Sequence, residues 1–272
     1  MKISIISIFR DEAKYLKEWI EFHLLVGVDQ FHLVNNNSND NYLEVLKPYI
    51  DSNIVILYNI NIEVTNNKPS FSNEQLLVTQ WVRKLNEIAL KSTDNWMIHV
   101  STDEFLFPTE KDNIKDVLKE YPKNVGEVSV NWTMFGNNNI ELKDNESLIE
   151  KLTKSSLQDH PENYHVKPIF KPEAIKIVPS VHFTYLKPGY IKVDANGKNN
   201  FKTPYEVKTR VFHPLHINHY RLRDLTWTNK KIAIYELFGR SNQNSLFNQY
   251  NDIDNYNIQK FVPALKEKLD IK

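Results

Sequence analysis

The sequence predicts an α/β domain with a Rossmann-like sheet flanked by helices, followed by a helical C-terminal extension. Three observations carry that prediction. Short β-branched runs alternate with segments of helical period through residues 1–130. The apolar runs are continuous, as in strands covered on both faces. Polar clusters follow the runs, where an open parallel sheet receives its ligands.

The elements follow in order. Residues 3–9 (ISIISIF) read as a first, buried strand. Residues 11–26 read as a helix, because Tyr15, Leu16, Trp19, Ile20, His23 and Leu24 recur at helical spacing and Gly27 stands at the C-cap. A second strand, 30–34, runs into the polar loop from Asn35 to Asp40. Residues 42–49 form a short helix broken at Pro48, and 54–58 a third strand. A long amphipathic helix, 73–91, carries Leu76, Leu77, Trp81, Leu85 and Ile88; a fourth strand, 96–100, runs straight into Ser101-Thr102-Asp103-Glu104. Further along, 125–132, 167–171, 174–178 and 213–220 are strand-like. Residues 153–165 read as a polar loop, and 187–205, rich in Pro, Gly, Asn and Lys, as a mobile insertion. Helical pattern resumes at Leu225. No repeat or clear linker divides the chain, so residues 1–232 read as one domain. In the extension 233–272, Tyr235, Leu237, Phe238 and Phe247 would pack on the domain or mediate association.

Composition narrows the chemistry. With 41% hydrophobic residues the chain has enough apolar surface to fold. Thirty-four basic side chains balance thirty-four acidic ones, which predicts no bulk attraction to nucleic acid or anionic lipid. The absence of cysteine excludes disulfides, thiolate nucleophiles and Cys-ligated zinc. There is no GxGxxG or GxxxxGK[ST] loop, so any nucleotide is held another way. The opening residues read as a strand rather than a cleaved leader, and no apolar stretch approaches the roughly 20 residues of a membrane span. The expectation is a cytoplasmic protein.

Four polar clusters stand at predicted strand ends: Arg10-Asp11-Glu12, Asn35 to Asp40, Ser101 to Glu104, and His216 to Tyr220. Together they suggest one crevice. Carboxylates directly after a buried strand need a positive partner, and a divalent cation bridging to a diphosphate would supply one. The same residues are also capping-box vocabulary for a helix. His213, His216 and His219 recur three apart, which on a strand splits them between two faces and argues against a three-histidine metal site. Plainer roles stand beside each candidate: core packing for Trp132, Phe135 and His219, helix capping for Glu12, turn chemistry for Asn35, and a solvated helix face for Lys230 and Lys231.

Residues 98–108, with Asp103-Glu104-Phe105, resemble the DxDEF segment of family 92 glycosyltransferases and their bacterial glycosyltransferase-2-like relatives. Arg10-Asp11-Glu12, Tyr15-Leu16 and Glu18-Trp19-Ile20-Glu21-Phe22-His23 are similar to the family's opening signature. Gly27-Val28-Asp29, the Asn36 to Asp40 loop, Trp132 with Phe135-Gly136, Lys167-Pro168-Ile169, His182-Phe183, Asn218-His219-Tyr220 and Lys230-Lys231 follow in the family's order. The likeness spans residues 1–232.

That resemblance implies a GT-A fold, with a nucleotide-sugar half at about 1–108 and an acceptor half at about 109–232. It implies a nucleotide-sugar donor, a uridine diphosphate sugar, transferred with inversion to a glycan or glycolipid in surface polysaccharide or lipopolysaccharide synthesis, in peripheral contact with the inner face of the membrane. Arg10, Glu12, Asn35, Asp40 and Ser101 would border the nucleotide, with Lys230 and Lys231 as cationic contacts. Asp103 would hold Mn²⁺ or Mg²⁺ with His219. Glu104, Trp132, Phe135 and Gly136 would line the sugar and acceptor side. The base that takes the acceptor proton would be Asp159, with Glu162, Glu104 and Glu150 as rivals. Two departures stand out: Ser101 replaces the first aspartate of DxD, and Asn35 replaces the aspartate before the Asn loop. Neither supplies negative charge, which weakens the case for a metal. A non-catalytic binding relative and a GT-A-like nucleotidyltransferase are the alternatives.

Overall fold

Four parallel strands form one side of the main sheet: β1 (Ile3–Phe9), β2 (Gln30–Asn36), β3 (Val55–Ile60) and β4 (Trp96–His99). They are joined by α1 (Ala13–Leu25), α2 (Tyr42–Asp51) and α3 (Phe71–Lys91). The computed structural model describes residues 1–60, 71–237 and 243–271. The side chains of Leu76, Leu77, Tyr235 and Leu237, and the whole of Phe238, lie outside the described residues.

Downstream come β5 (Glu104–Pro108), α4 (Ile114–Leu118), β6 (Val125–Met134), α5 (Leu148–Lys151), β7 (Lys154–Ser155) and β8 (Val166–Phe170). Then follow β9 (Ile175–Ser180), β10 (Phe183–Leu186), β11 (Ile191–Asp194), β12 (Phe201–Thr203), β13 (Glu206–Val207) and β14 (Leu215–His219). The chain closes with α6 (Leu225–Leu237), α7 (Gln243–Asn248), β15 (Ile253–Asp254) and α8 (Val262–Leu269). The main sheet runs β3-β2-β1-β4-β8-β6-β14-β5, with β11 also on β6.

Strand direction decides where the site lies. β8 is antiparallel to β4 and to β6, and β14 is parallel to β6. Two reversals restore the original sense, so β14 points the same way as β1, β2 and β4. β5 is antiparallel to β14, which brings its N-terminal end to that same edge.

The core is built around α1. Trp19 and Phe22 are fully buried, and the Trp19 indole donates to the Glu104 carbonyl at 2.9 Å, tying the helix to the start of β5. His23 accepts from the Leu106 amide through Nε2 at 3.2 Å, so its Nδ1 carries the proton and donates to the Trp19 carbonyl. Burial pushes this imidazole down to about 3. It is a neutral structural histidine. Beyond α6, Phe261 packs edge-on to Phe22 and Phe107, and Leu265 is fully buried. The described part of the extension therefore shares the domain's core.

Several expectations change. α2 does not break at Pro48: it continues to Asp51, because Pro48 is exposed and water can satisfy the carbonyl it leaves unpaired, while Leu46 and Tyr49 anchor the helix. The 153–165 segment holds β7 and a short 3₁₀ turn at Pro161–Tyr164. Residues 187–205 contain β11, which joins the main sheet, and β12, which pairs with β13; Val193 is buried there and Lys192 reaches the buried Glu127 at 2.9 Å. Turn-rich composition marked only the corners. A strand, not a helix, follows Ser101 to Asp103, so the capping-box reading fails.

Gly136 sits where no side chain fits: a Cβ would lie 2.1 Å from the Asn251 Oδ1 and 2.6 Å from the Tyr250 carbonyl. Gly136→Ala is expected to cost about 1–3 kcal/mol by overpacking. A thermal midpoint within a degree of wild type would show that the 250–251 segment yields freely.

Candidate active site

The shared strand direction gathers all four polar clusters at one groove of about 400 Å³. Arg10 and Glu12 come from the end of β1, Asn36 from β2, Ser101 to Asp103 from the end of β4, and His219 and Arg221 from the end of β14. Lys231, on the second turn of α6, completes the wall.

At its floor Asp103, Glu104 and His219 place ligand atoms within 4.8 Å of one another. The cause is register: Glu104 and His219 are direct partners across β5 and β14, and the Tyr220 amide donates to the Asp103 carbonyl at 2.8 Å. His219 Nε2 lies 3.6 Å from Asp103 Oδ1 and its Nδ1 lies 3.7 Å from Glu104 Oε1. Burial by itself would raise the Asp103 carboxyl, but His219, then Lys231 and Lys167, hold it well below the usual carboxylate range. Lys231 is shifted down as well: burial takes its ammonium to about 8, opposed by Asp103 and reinforced by Arg221 and Arg223.

The Asn loop is tied to the start of α1. The Asp11 amide donates to Ser38 Oγ at 3.0 Å, and the Asn39 amide donates to Asp11 Oδ1 at 2.7 Å. Asp40 accepts from the Ala13 amide at 2.7 Å, satisfying one of the helix's free donors. Asn35 donates to the Tyr42 hydroxyl and to Asn59 Oδ1 and accepts from the Ser38 amide. Asn35 and Asp40 thus shape the loop, and the neighbouring Asn36 lines the groove. Glu12 does line it, and it also pairs with the buried Arg223.

The other expected residues divide. Trp132 stands edge-on to His219 with ring centres 5.0 Å apart and stacks on His165. Phe135 is fully buried against Tyr220, and Gly136 faces the 250–251 segment, so neither lines the groove. Glu104 is buried below the groove rather than facing an acceptor. Asp159 and Lys230 are exposed and outside the groove. Glu162, by contrast, lies 4.0 Å from Arg221.

Sequence reasoning placed Lys167 in the family's Lys-Pro-Ile segment without giving it a role at the site, and it missed Arg223. Lys167 Nζ is 3.3 Å from Glu104 Oε2 and 3.4 Å from Ser101 Oγ, with only 5% of its side chain exposed. Its signal was a lone lysine inside the apolar strand VKPIF, where an unpaired charge is costly. Arg223, fully buried, stacks on Tyr15 and Trp227 and donates to Thr102 beside Asp103. Nothing in its local sequence signals that partnership.

A family model described as Glycosyltransferase family 92 matches residues 3–264. Similar proteins include glycosyltransferase family 92 proteins of Ricinus communis, 26% identical over 72% of this chain and 33% of that protein, and of Arabidopsis thaliana, 23% identical over 69% and 32%. The chain spans about a third of the length of these relatives. Similar solved structures include the S. aureus TarS 1–349 crystal structure (14% identity, 64% of this chain and 48% of that chain, TM-score 0.39). Another is the galactosyltransferase LgtC in complex with donor and acceptor sugar analogs (13% identity, 87% and 95%, TM-score 0.41).

Proposed function

This chain belongs to glycosyltransferase family 92, and from that premise we propose that it moves a sugar from a uridine diphosphate sugar to a glycan or glycolipid hydroxyl, with inversion at the anomeric carbon. One observation carries the reading: an ionised aspartate, an imidazole and the cations Arg10, Arg221 and Lys231 border a single groove at the strand ends. In this reading the protein works at the cytoplasmic face of the membrane, in surface polysaccharide or lipopolysaccharide synthesis.

Breaking the sugar–phosphate bond builds positive charge at the anomeric carbon and negative charge on the departing diphosphate. Fixed positive charge aimed at the leaving group lowers that barrier. Lys231, Arg221 and Arg10 are this chain's own cations at the groove. The donor set of Asp103 and His219 also fits a divalent cation, Mn²⁺ or Mg²⁺, with one ionised carboxylate and one imidazole nitrogen. Such an ion would supply further charge to the diphosphate. Ser101 adds no charge, and Lys167 beside it favours few additional metal contacts. The incoming hydroxyl needs a carboxylate to take its proton. Glu162, linked to the groove wall through Arg221, is placed for this better than Asp159.

Calorimetry with UDP, with and without Mn²⁺, together with hydrolysis of a panel of nucleotide sugars, tests the reading. Binding and hydrolysis of one donor are expected. UDP binding without turnover of any donor would favour a non-catalytic relative, the alternative that Ser101 and Asn35 support. Absence of any nucleotide binding would end the proposal.

The Lys231 shift gives a pH test. Below about 8 its ammonium is charged and attracts diphosphate; above that value it loses its proton. UDP affinity, measured in EDTA between about pH 6.5 and 9.5, is therefore expected to fall as pH rises through the upper part of that range. Lys231→Met should bind more weakly at low pH and flatten the slope. An unchanged slope in the variant would place the titrating group elsewhere.

A further inference from the structure

We propose that a cavity of about 480 Å³, on the opposite face of β14 from His219, is a second binding site of this chain and takes an uncharged sugar. It lies between the domain and the C-terminal extension. β15 pairs with β7, and the carboxamides of Asn257 and Asn218 bond to each other at 2.8 and 3.0 Å, which fixes the 253–257 segment as one wall. The volume falls in the range of small-molecule sites, about 300–1,000 Å³. No residue lines both this cavity and the groove.

Strand geometry sets the two apart. Successive side chains of a strand leave opposite faces, so His216 and Asn218 point one way from β14 and His219 the other. The same split runs through β6. Trp132, paired with Ile217, meets His219; Thr133, paired with Asn218, meets His216.

The chemistry of the wall selects the ligand. No lysine or arginine lines the cavity, and its one carboxylate, Asp254, is already paired with Lys154 at 2.8 Å. His213, exposed at the rim, already faces Glu110 at 3.8 Å. His216 is 1% exposed, and burial pushes its imidazole down to about 3, so that ring is neutral. An anion would find no fixed cation here, and an ammonium no free carboxylate.

What the wall offers is hydrogen bonding and two aromatic rings. His216 Nε2 is held by Thr133 Oγ1 at 2.9 Å, whereas its Nδ1 is buried without a partner. Such an orphan is unfavourable until a ligand or water reaches it. Gln158 and Asn255 bring carboxamides, and Phe212 and Tyr256 bring rings. Tyr256 is 62% exposed, an aromatic left open to water. A sugar answers both demands: its hydroxyls donate and accept, and the C–H bonds of one ring face are drawn to an aromatic π-face. Sugar binding here stands apart from the glycosyl-transfer reading; on that reading, it gives an extended glycan a second grip besides the groove.

The test is an NMR titration of the full chain with the methyl glycosides of glucose, galactose and mannose and with N-acetylglucosamine. At least one of these sugars should bind with a dissociation constant below about 10 mM. Tyr256→Ala, at an exposed position, should weaken that binding about five- to thirtyfold, while UDP affinity stays within about twofold. In histidine-labelled protein the His216 ring signal, assigned by comparison with His216→Gln, should move as the sugar is added. Binding by none of these sugars would overturn the proposal, as would equal affinity in Tyr256→Ala or an unmoved His216 signal. The two readings fail separately: sugar binding in a chain that binds no nucleotide sinks only the transferase, and donor turnover without sugar binding sinks only this site.

Discussion

Asp103→Asn is expected to lower donor turnover by at least about a hundredfold, because it removes the carboxylate that would hold a divalent cation against the departing diphosphate. Asp103 is the groove's ionised carboxylate on the floor, held in that state by His219, Lys231 and Lys167. The amide keeps the shape and removes the charge. It also leaves Lys231 and Lys167 less compensated, so phosphate would compete with UDP more strongly in the variant. The fold should survive, because the Tyr220 amide bonds to the backbone carbonyl of residue 103 and not to its side chain. Steady-state hydrolysis of the preferred nucleotide sugar, with circular dichroism as the control, decides it. Turnover at the wild-type rate would remove Asp103 from the chemistry.

The largest effect on stability is expected from Glu12→Ala. Arg223 is 1% exposed, lies over the rings of Tyr15 and Trp227 at 4.2 and 4.6 Å, and pairs with Glu12. Asp224, next in the chain, is already paired with Lys14 at 2.7 Å. Removing Glu12 leaves a buried guanidinium without its carboxylate, which costs about 3–5 kcal/mol. Glu12→Gln keeps an acceptor and should cost less. Urea unfolding of the three proteins at neutral pH reads the difference as a shift in midpoint. A midpoint for Glu12→Ala within experimental error of wild type would mean that water or Asp224 replaces the lost partner.

The same pair shows what local patterns reach and what they miss. Glu12 was singled out because it follows a strand, and it does line the groove. Its partner lies some two hundred residues away at a position with a left-handed backbone, φ 49°, which no periodicity anticipates. Likewise β1 to β4 and their helices follow from apolar spacing, while β5 did not emerge from it. Its residues Glu104 to Pro108 are buried at every position, so they show no alternation by which to recognise a strand. β11 was hidden for the opposite reason: its four residues are too few to outweigh the turn-forming composition around them.

By itself the sequence determined the α/β class, the order of the first seven elements and the four polar clusters destined for one edge, because helical and strand periods are local consequences of which side chains must leave water. Only the tertiary structure decided which members of those clusters face the groove. The two strand reversals around β8 bring His219 to the edge that holds Asp103, and the β5–β14 register sets Glu104 beneath it against Lys167. Pairing between distant segments sets those positions, and it depends on how whole strands bury one another rather than on the neighbours of any single residue.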